Sequence, residues 1–228
     1  MPPEIVPPGT NPPGRNSAGT NRPEIIKVCG ITSLADAIFA AQNGATALGF
    51  IFYQGSPRYI RVDQAAMIAA VVPKGVLRVG LFVNETRAQV ENTARAARLD
   101  VVQLHGHETA EYCDALEGLR VWKAFHVREY FKPEMLEEYS CEAYLLDAAS
   151  TDGTFGGTGR TFPWPLARDA KRFGKIIVAG GLDADNVAEA IKQVNPWGVD
   201  ASSKLEGKPG VKDHEKVRSY LEAAKSVE

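Results

Sequence analysis

The sequence predicts a closed (β/α)8 barrel, on three observations. Short apolar runs rich in β-branched residues alternate with amphipathic stretches about eight times after Glu24, the rhythm of a parallel sheet whose crossovers are helices. The glycines gather after the sixth and seventh runs and not in one fingerprint after the first, which disfavours the alternative, an open doubly wound sheet. A chain of 228 residues suffices for one such barrel and is cramped for two domains.

Taken in order, residues 1–23 (MPPEIVPPGTNPPGRNSAGTNRP) hold mostly Pro, Gly, Asn and Ser, with almost nothing apolar to bury. They are expected to form a flexible tail ahead of a barrel domain over 24–228. Strands are expected at 25–31, 47–52, 77–83, 101–104, 120–125, 143–146, 175–179 and 198–201. Between them the pattern predicts helices such as 33–43, where Ser33 and Asp36 make a capping-box-like start, and 184–194, entered through Asp183. The fifth crossover reads as irregular, because Lys132 and Pro133 interrupt it and 134–139 leaves room for only a short turn.

Composition narrows the function. Hydrophobic residues at 44% and charged residues at 24% are the balance of a soluble globular protein. A net charge of -2 supplies no basic field for nucleic acid or an anionic membrane, so a small-molecule partner is expected. Cys29, Cys113 and Cys141 are odd in number, far apart in sequence and without metal-ligand spacing. Neither a disulfide framework nor a zinc site is expected of them. No run reaches the ~18 apolar residues of a membrane span and no secretory signal opens the chain, so a cytoplasmic location is expected.

In such a barrel the chemistry lies at the C-terminal ends of the strands. There the sequence places Lys27, Cys29 and Gly30, then Ser56, Pro57 and Arg58, then Gln103, His105 and Gly106. Asp147, a Gly156–Gly159 cluster, Gly180 and Gly181, and finally Asp200, Ser202 and Ser203 complete the set. Backbone N–H groups freed of bulky side chains can converge on a phosphate. Gly157, Thr158, Gly159, Gly181, Leu182, Ser202 and Ser203 are therefore the expected phosphate-binding set, from three neighbouring loops. Lys27 shares the side of its strand with Cys29, one layer deeper, where it supports the electrostatics of the site. Taken alone, Cys29 reads as an inert buried thiol and Asp147 as a capping or loop carboxylate.

The strings KVCGIT, SPRYI, GLFVN, QLHG, LLDA, GGTG, IIVAGGL and VDASS, in this order from about Ile25 to the C-terminus, resemble the phosphoribosylanthranilate isomerase family of tryptophan biosynthesis. The resemblance implies an Amadori rearrangement of N-(5-phosphoribosyl)anthranilate to 1-(2-carboxyphenylamino)-1-deoxyribulose 5-phosphate, with no cofactor and no metal. It implies Cys29 as general base and Asp147 as general acid. Arg58 would grip the anthranilate carboxylate, Asp200 would accept a hydrogen bond from the substrate amine, and His105 would bind or shape the site. Arg61 is left as a surface arginine, and Cys113 and Cys141 as structural residues. It also implies a monomer or a homodimer. One departure stands out, since Lys204 occupies a position where the family often has glycine. The histidine-pathway isomerase that performs the same rearrangement, with a pair of aspartates, and a non-catalytic phosphate-binding barrel remain the alternatives.

Overall fold

The computed structural model describes residues 22–148 and 163–227. The expected tail up to residue 21, and Gly157, Thr158 and Gly159 of the expected phosphate set, lie outside the described residues.

The eight strands form as expected. They are β1 (Ile25–Cys29), β2 (Ala47–Ile51), β3 (Leu77–Phe82), β4 (Val101–Leu104), β5 (Val121–Val127), β6 (Ala143–Ala148), β7 (Ile176–Val178) and β8 (Gly198–Ala201). All pair in parallel in sequence order, and β8 returns to β1 through Ile25↔Gly198 and Lys27↔Asp200 to close the barrel. The β1 strand stops at Cys29, two residues short of the expected end, because Gly30 turns the chain with φ 78°, a conformation that suits glycine. The β5 and β6 strands run two residues further than their expected ends, pairing Val127 with Ala148.

Helices α1 (Leu34–Gln42), α2 (Val62–Ala69), α3 (Arg87–Ala96), α4 (Ala110–Asp114), α5 (Trp164–Ala170), α6 (Val187–Val194) and α7 (His214–Lys225) cover the barrel. Ser33 caps α1 by accepting the Asp36 N–H, but the reciprocal half of the expected capping box is absent. Asp36 instead accepts the Lys212 N–H at 3.3 Å and lies 2.9 Å from His214 Nε2, tying α1 to the start of α7. The α6 helix begins three residues later than expected. Asp183 takes the Asp185 N–H and Asn186 takes the Asp183 N–H, both at 3.0 Å, so the chain makes a side-chain-bonded turn first. The fifth crossover is a 3-10 turn, Pro133–Glu138, where only a short turn was expected. A small antiparallel hairpin after β8, β9 (Glu206–Lys208) with β10 (Val211–Lys212), was not foreseen.

Two apolar layers follow from the period-2 alternation of the strands. Ile26, Val28, Leu48, Phe50, Leu104 and Leu146 face outward under the helices. Ile25, Ala47, Val101, Trp122, Leu145 and Ile177 fill the interior towards the N-terminal end. Around that end runs a polar belt. Arg78 grips Asp100 at 2.6 and 2.7 Å, Arg120 grips Glu142 at 2.7 Å, and Lys175 lies 3.9 Å from Glu142 and over the Trp197 ring. The Trp197 indole N–H donates to Glu24 at 2.9 Å, completing the belt at the β8–β1 seam. At the same end of the barrel, Lys225 near the end of α7 donates to the Asn43 carbonyl at 2.7 Å.

Candidate active site

A cleft opens at the C-terminal ends of the strands. Cys29, Arg58, His105, Asp147, Gly181, Leu182, Asp200, Ser202 and Ser203 all line it. Every expected site residue that the structure describes is thus brought to one place.

Cys29 is held at the top of β1 with its thiol against β2. Gly49 makes that possible, since a methyl group there would sit 2.6 Å from the Cys29 sulfur. Burial pushes the thiol above its ordinary range, opposed first by the Lys27 ammonium below it. Lys27 is completely buried and bonded to Asp200 at 2.8 Å. Burial would push Lys27 down, but Asp200 and the Cys29 sulfur outweigh it and hold the ammonium above its ordinary value. The site thus has a fixed positive charge one layer beneath its thiol, as expected from the spacing. The second Asp200 oxygen, Oδ1, is buried without a hydrogen-bond partner. A buried carboxylate oxygen left in this state is costly unless something else supplies a donor.

Asp147, at the top of β6, lies 3.2 Å from His105 Nε2. The Gln103 side-chain amide sits 2.9 Å from His105 Nδ1, and if it donates there, the imidazole carries its proton on Nε2, towards Asp147. Gly180, with φ 85°, lets the β7 loop pass close by, because a methyl group there would be 2.4 Å from the Ala148 nitrogen and 2.9 Å from Asp147 Oδ1. His126 stands beside Asp147 in strand register and its ring lies 5.2 Å from that of His105. Burial and the neighbouring His105 push His126 down to about 4, so it is a neutral imidazole near pH 7.

Arg58 crosses Gly30, where a methyl group would meet its Cδ at 2.8 Å. Its Nε and one terminal nitrogen donate to Glu206, both at 2.8 Å. A guanidinium has five N–H donors, so the other edge is left for a ligand carboxylate. Glu206 also accepts from the buried Lys212 at 3.0 Å. Glu206 and Lys212 were given no role from sequence, because the hairpin that carries them has no signature of its own. His126 was likewise missed, as a strand histidine with no partner nearby in sequence.

Of the set expected from sequence to take a phosphate, Gly181 (φ 64°), Leu182, Ser202 and Ser203 line one part of the cleft. Ser202 Oγ donates to the Cys29 carbonyl at 3.1 Å, fixing the β8 loop to β1. Ser203 opens a 3-10 turn, Ser203–Leu205, so its N–H has no partner within that turn. Lys204 is accommodated without a positive φ, so glycine is not required there. Its ammonium reaches within 3.7 Å of Asp183 at the edge of the cleft. Arg61 pairs with Asp63 in the open, as a surface residue should. Cys113 and Cys141, distant in sequence, lie thiol to thiol away from the cleft. Among the described residues no helix is long and apolar enough to cross a membrane.

The family model for N-(5'-phosphoribosyl)anthranilate (PRA) isomerase matches residues 26–223. The isomerase of Geobacter metallireducens is 49% identical over 201 residues, covering 88% of this chain and 98% of its own. That of Geobacter sulfurreducens is 50% identical over 200 residues, with the same coverage. Among solved structures, the isomerase of Thermotoga maritima superposes with a TM-score of 0.82 at 38% identity, over 89% of this chain and 99% of its own. A second, solved with reduced 1-(o-carboxyphenylamino)-1-deoxyribulose 5-phosphate, gives 0.78 at 36% over the same shares. With the family model spanning the barrel and these relatives alike in sequence and fold, the chain belongs to the N-(5'-phosphoribosyl)anthranilate isomerase family.

Proposed function

We propose that this cleft performs the family's isomerisation of N-(5-phosphoribosyl)anthranilate in tryptophan biosynthesis with Cys29 as general base and Asp147 as general acid. The observation that carries the assignment is a buried thiol above a fixed ammonium, facing the same cleft as a carboxyl group three strands around the ring of eight. Asp147, protonated, gives its proton to the furanose ring oxygen; the C1–O bond opens and the anomeric carbon becomes a Schiff base to the anthranilate nitrogen. The Cys29 thiolate then takes the C2 proton, and the electron pair moves into the C1–C2 bond to give an enolamine. Tautomerisation to the ketone and proton exchange restore both groups.

The other side chains position the substrate. The free edge of Arg58 suits the anthranilate carboxylate, and the unpartnered Oδ1 of Asp200 suits the substrate N–H. Gly181, Leu182, Ser202 and Ser203, with Gly157, Thr158 and Gly159 as the remainder of the set expected from sequence, hold the phosphate. Lys204 adds positive charge at that end. Residues 24–228 act as one catalytic domain in the cytoplasm, as a monomer or homodimer; the Thermotoga maritima relative is a dimeric isomerase from which monomers have been generated.

The test follows the loss of anthranilate fluorescence as phosphoribosylanthranilate is consumed. Wild type is expected to turn over, while Cys29→Ser and Asp147→Asn lose at least about a hundredfold in kcat. Full activity in either variant overturns its assignment. Binding of a product analogue without turnover by wild type would instead favour a non-catalytic barrel.

A further inference from the structure

We infer that His105, His126 and Asp147 form a site for a divalent transition-metal ion such as Zn2+, and that occupation of this site switches the enzyme off. The inhibitory half rests on the role given above to Asp147; the binding half does not.

The three residues come from consecutive strands or their C-terminal ends, β4, β5 and β6, on the inward face at the barrel mouth. One ligand atom from each lies within 4.8 Å of the other two. Around tetrahedral zinc, nitrogen and oxygen ligands about 2.0–2.2 Å from the metal stand about 3.4 Å from one another. The His105 Nε2 to Asp147 Oδ2 separation is already 3.2 Å, so one edge of the tetrahedron is preformed, and the His126 ring nitrogen, no more than 4.8 Å from the other ligand atoms, closes in to complete the face. Two imidazoles and a carboxylate with a fourth position left for water are a ligand set that zinc adopts in open sites. His105 and Asp147 line the cleft, which supplies that fourth position.

A second observation points to the same ligand. Metal-bound imidazoles donate their remaining ring N–H to an acceptor in the surrounding shell. Gln103, fully buried, directs its amide nitrogen at His105 Nδ1 and leaves its own Oε1 buried without a partner. Turning that carboxamide over would present Oε1 to an Nδ1–H. His105 then keeps one proton, moved from Nε2 to Nδ1, and its Nε2 lone pair is released to the metal, with the carboxamide nitrogen taking the place Oε1 held. With the metal on Asp147, the carboxylate holds no proton to give the substrate, and turnover stops.

The experiment titrates metal-free wild-type protein with Co2+ and then Zn2+. The expected result is visible d–d absorption of four- or five-coordinate Co2+, without the intense near-ultraviolet band of a thiolate ligand, bleached by Zn2+. His126→Gln should weaken binding at least about tenfold, and Gln103→Leu by a similar factor, while Cys29→Ser leaves it unchanged. Zn2+ should inhibit turnover over the same concentration range and EDTA should restore it, with the inhibition shifted by the same factor in His126→Gln relative to that variant's own metal-free rate. Should His126→Gln prove unfolded by circular dichroism, His105→Gln serves for the spectroscopic arm. Absence of Co2+ absorption, a thiolate band, or undiminished affinity in the histidine variants overturns the site. Tight binding through these residues with turnover unchanged overturns the switch. Absence of turnover in the metal-free wild type would count against the catalytic assignment, while the Co2+ spectrum still tests the site.

Discussion

At the scale of single residues, the reactive groups are set by what lies beneath and beside them. Because burial holds the Cys29 thiol up and the role proposed for it needs a thiolate, kcat/KM should rise with pH through neutrality into the alkaline range. Lys27→Met, which removes the opposing ammonium, should move that limb to still higher pH in a pH–rate profile. Gly49→Ala places a methyl group 2.6 Å from the sulfur and should lower kcat at least about tenfold by displacing the base, with circular dichroism unchanged. Arg58→Lys replaces a planar fork by a point charge, and steady-state kinetics should show KM raised roughly tenfold or more with a smaller change in kcat. Cys29, Asp147 and Asp200 at or beside strand ends, Lys27 one layer below Cys29 and Arg58 in the loop after β2 could be placed at the mouth from the strand pattern, while their roles rested on the family resemblance. His126, Lys212 and Glu206 were not, since their significance depends on neighbours that only strand register or the β8 hairpin brings close.

At the scale of elements, the recurrence of apolar runs located all eight strands, because burial on both faces leaves near-continuous apolar stretches. Boundaries were harder to read where side chains bond to the backbone. Asp183 and Asn186 take N–H groups that a helix start would otherwise present, which delays α6. The β9–β10 hairpin is too short to have a pattern, yet it carries the Glu206 that orients Arg58. Asp213 caps α7 by accepting the N–H groups of Glu215 and Lys216 at 3.0 and 3.2 Å. Asp213→Ala should cost about 1 kcal/mol in thermal or urea unfolding and leave turnover by the folded protein intact.

For the whole molecule, closure of the barrel and the polar belt at its base belong together. Burial would raise the Asp100 carboxyl, but its bonds to Arg78 outweigh that and hold it below the ordinary range. Arg120 does the same for Glu142. Both carboxylates are more acidic folded than unfolded, so their contribution is fully present above the ordinary carboxylate range and is lost as pH falls through the depressed values. Tm should therefore drop on acidification below about pH 4, and Asp100→Asn should flatten that part of the curve. None of this overlaps with the alkaline limb predicted for activity, which would originate at the other end of the barrel. The belt also has a practical meaning for protein engineering. Glu24 at the seam and Lys225 beside Asn43 bring the start and finish of the described barrel to the same pole, opposite the cleft. A partner enzyme or reporter joined at Glu24 or Lys225 would emerge away from the mouth, and a linker joining these two ends would let new termini be opened in a helix-to-strand loop without crossing the substrate's path.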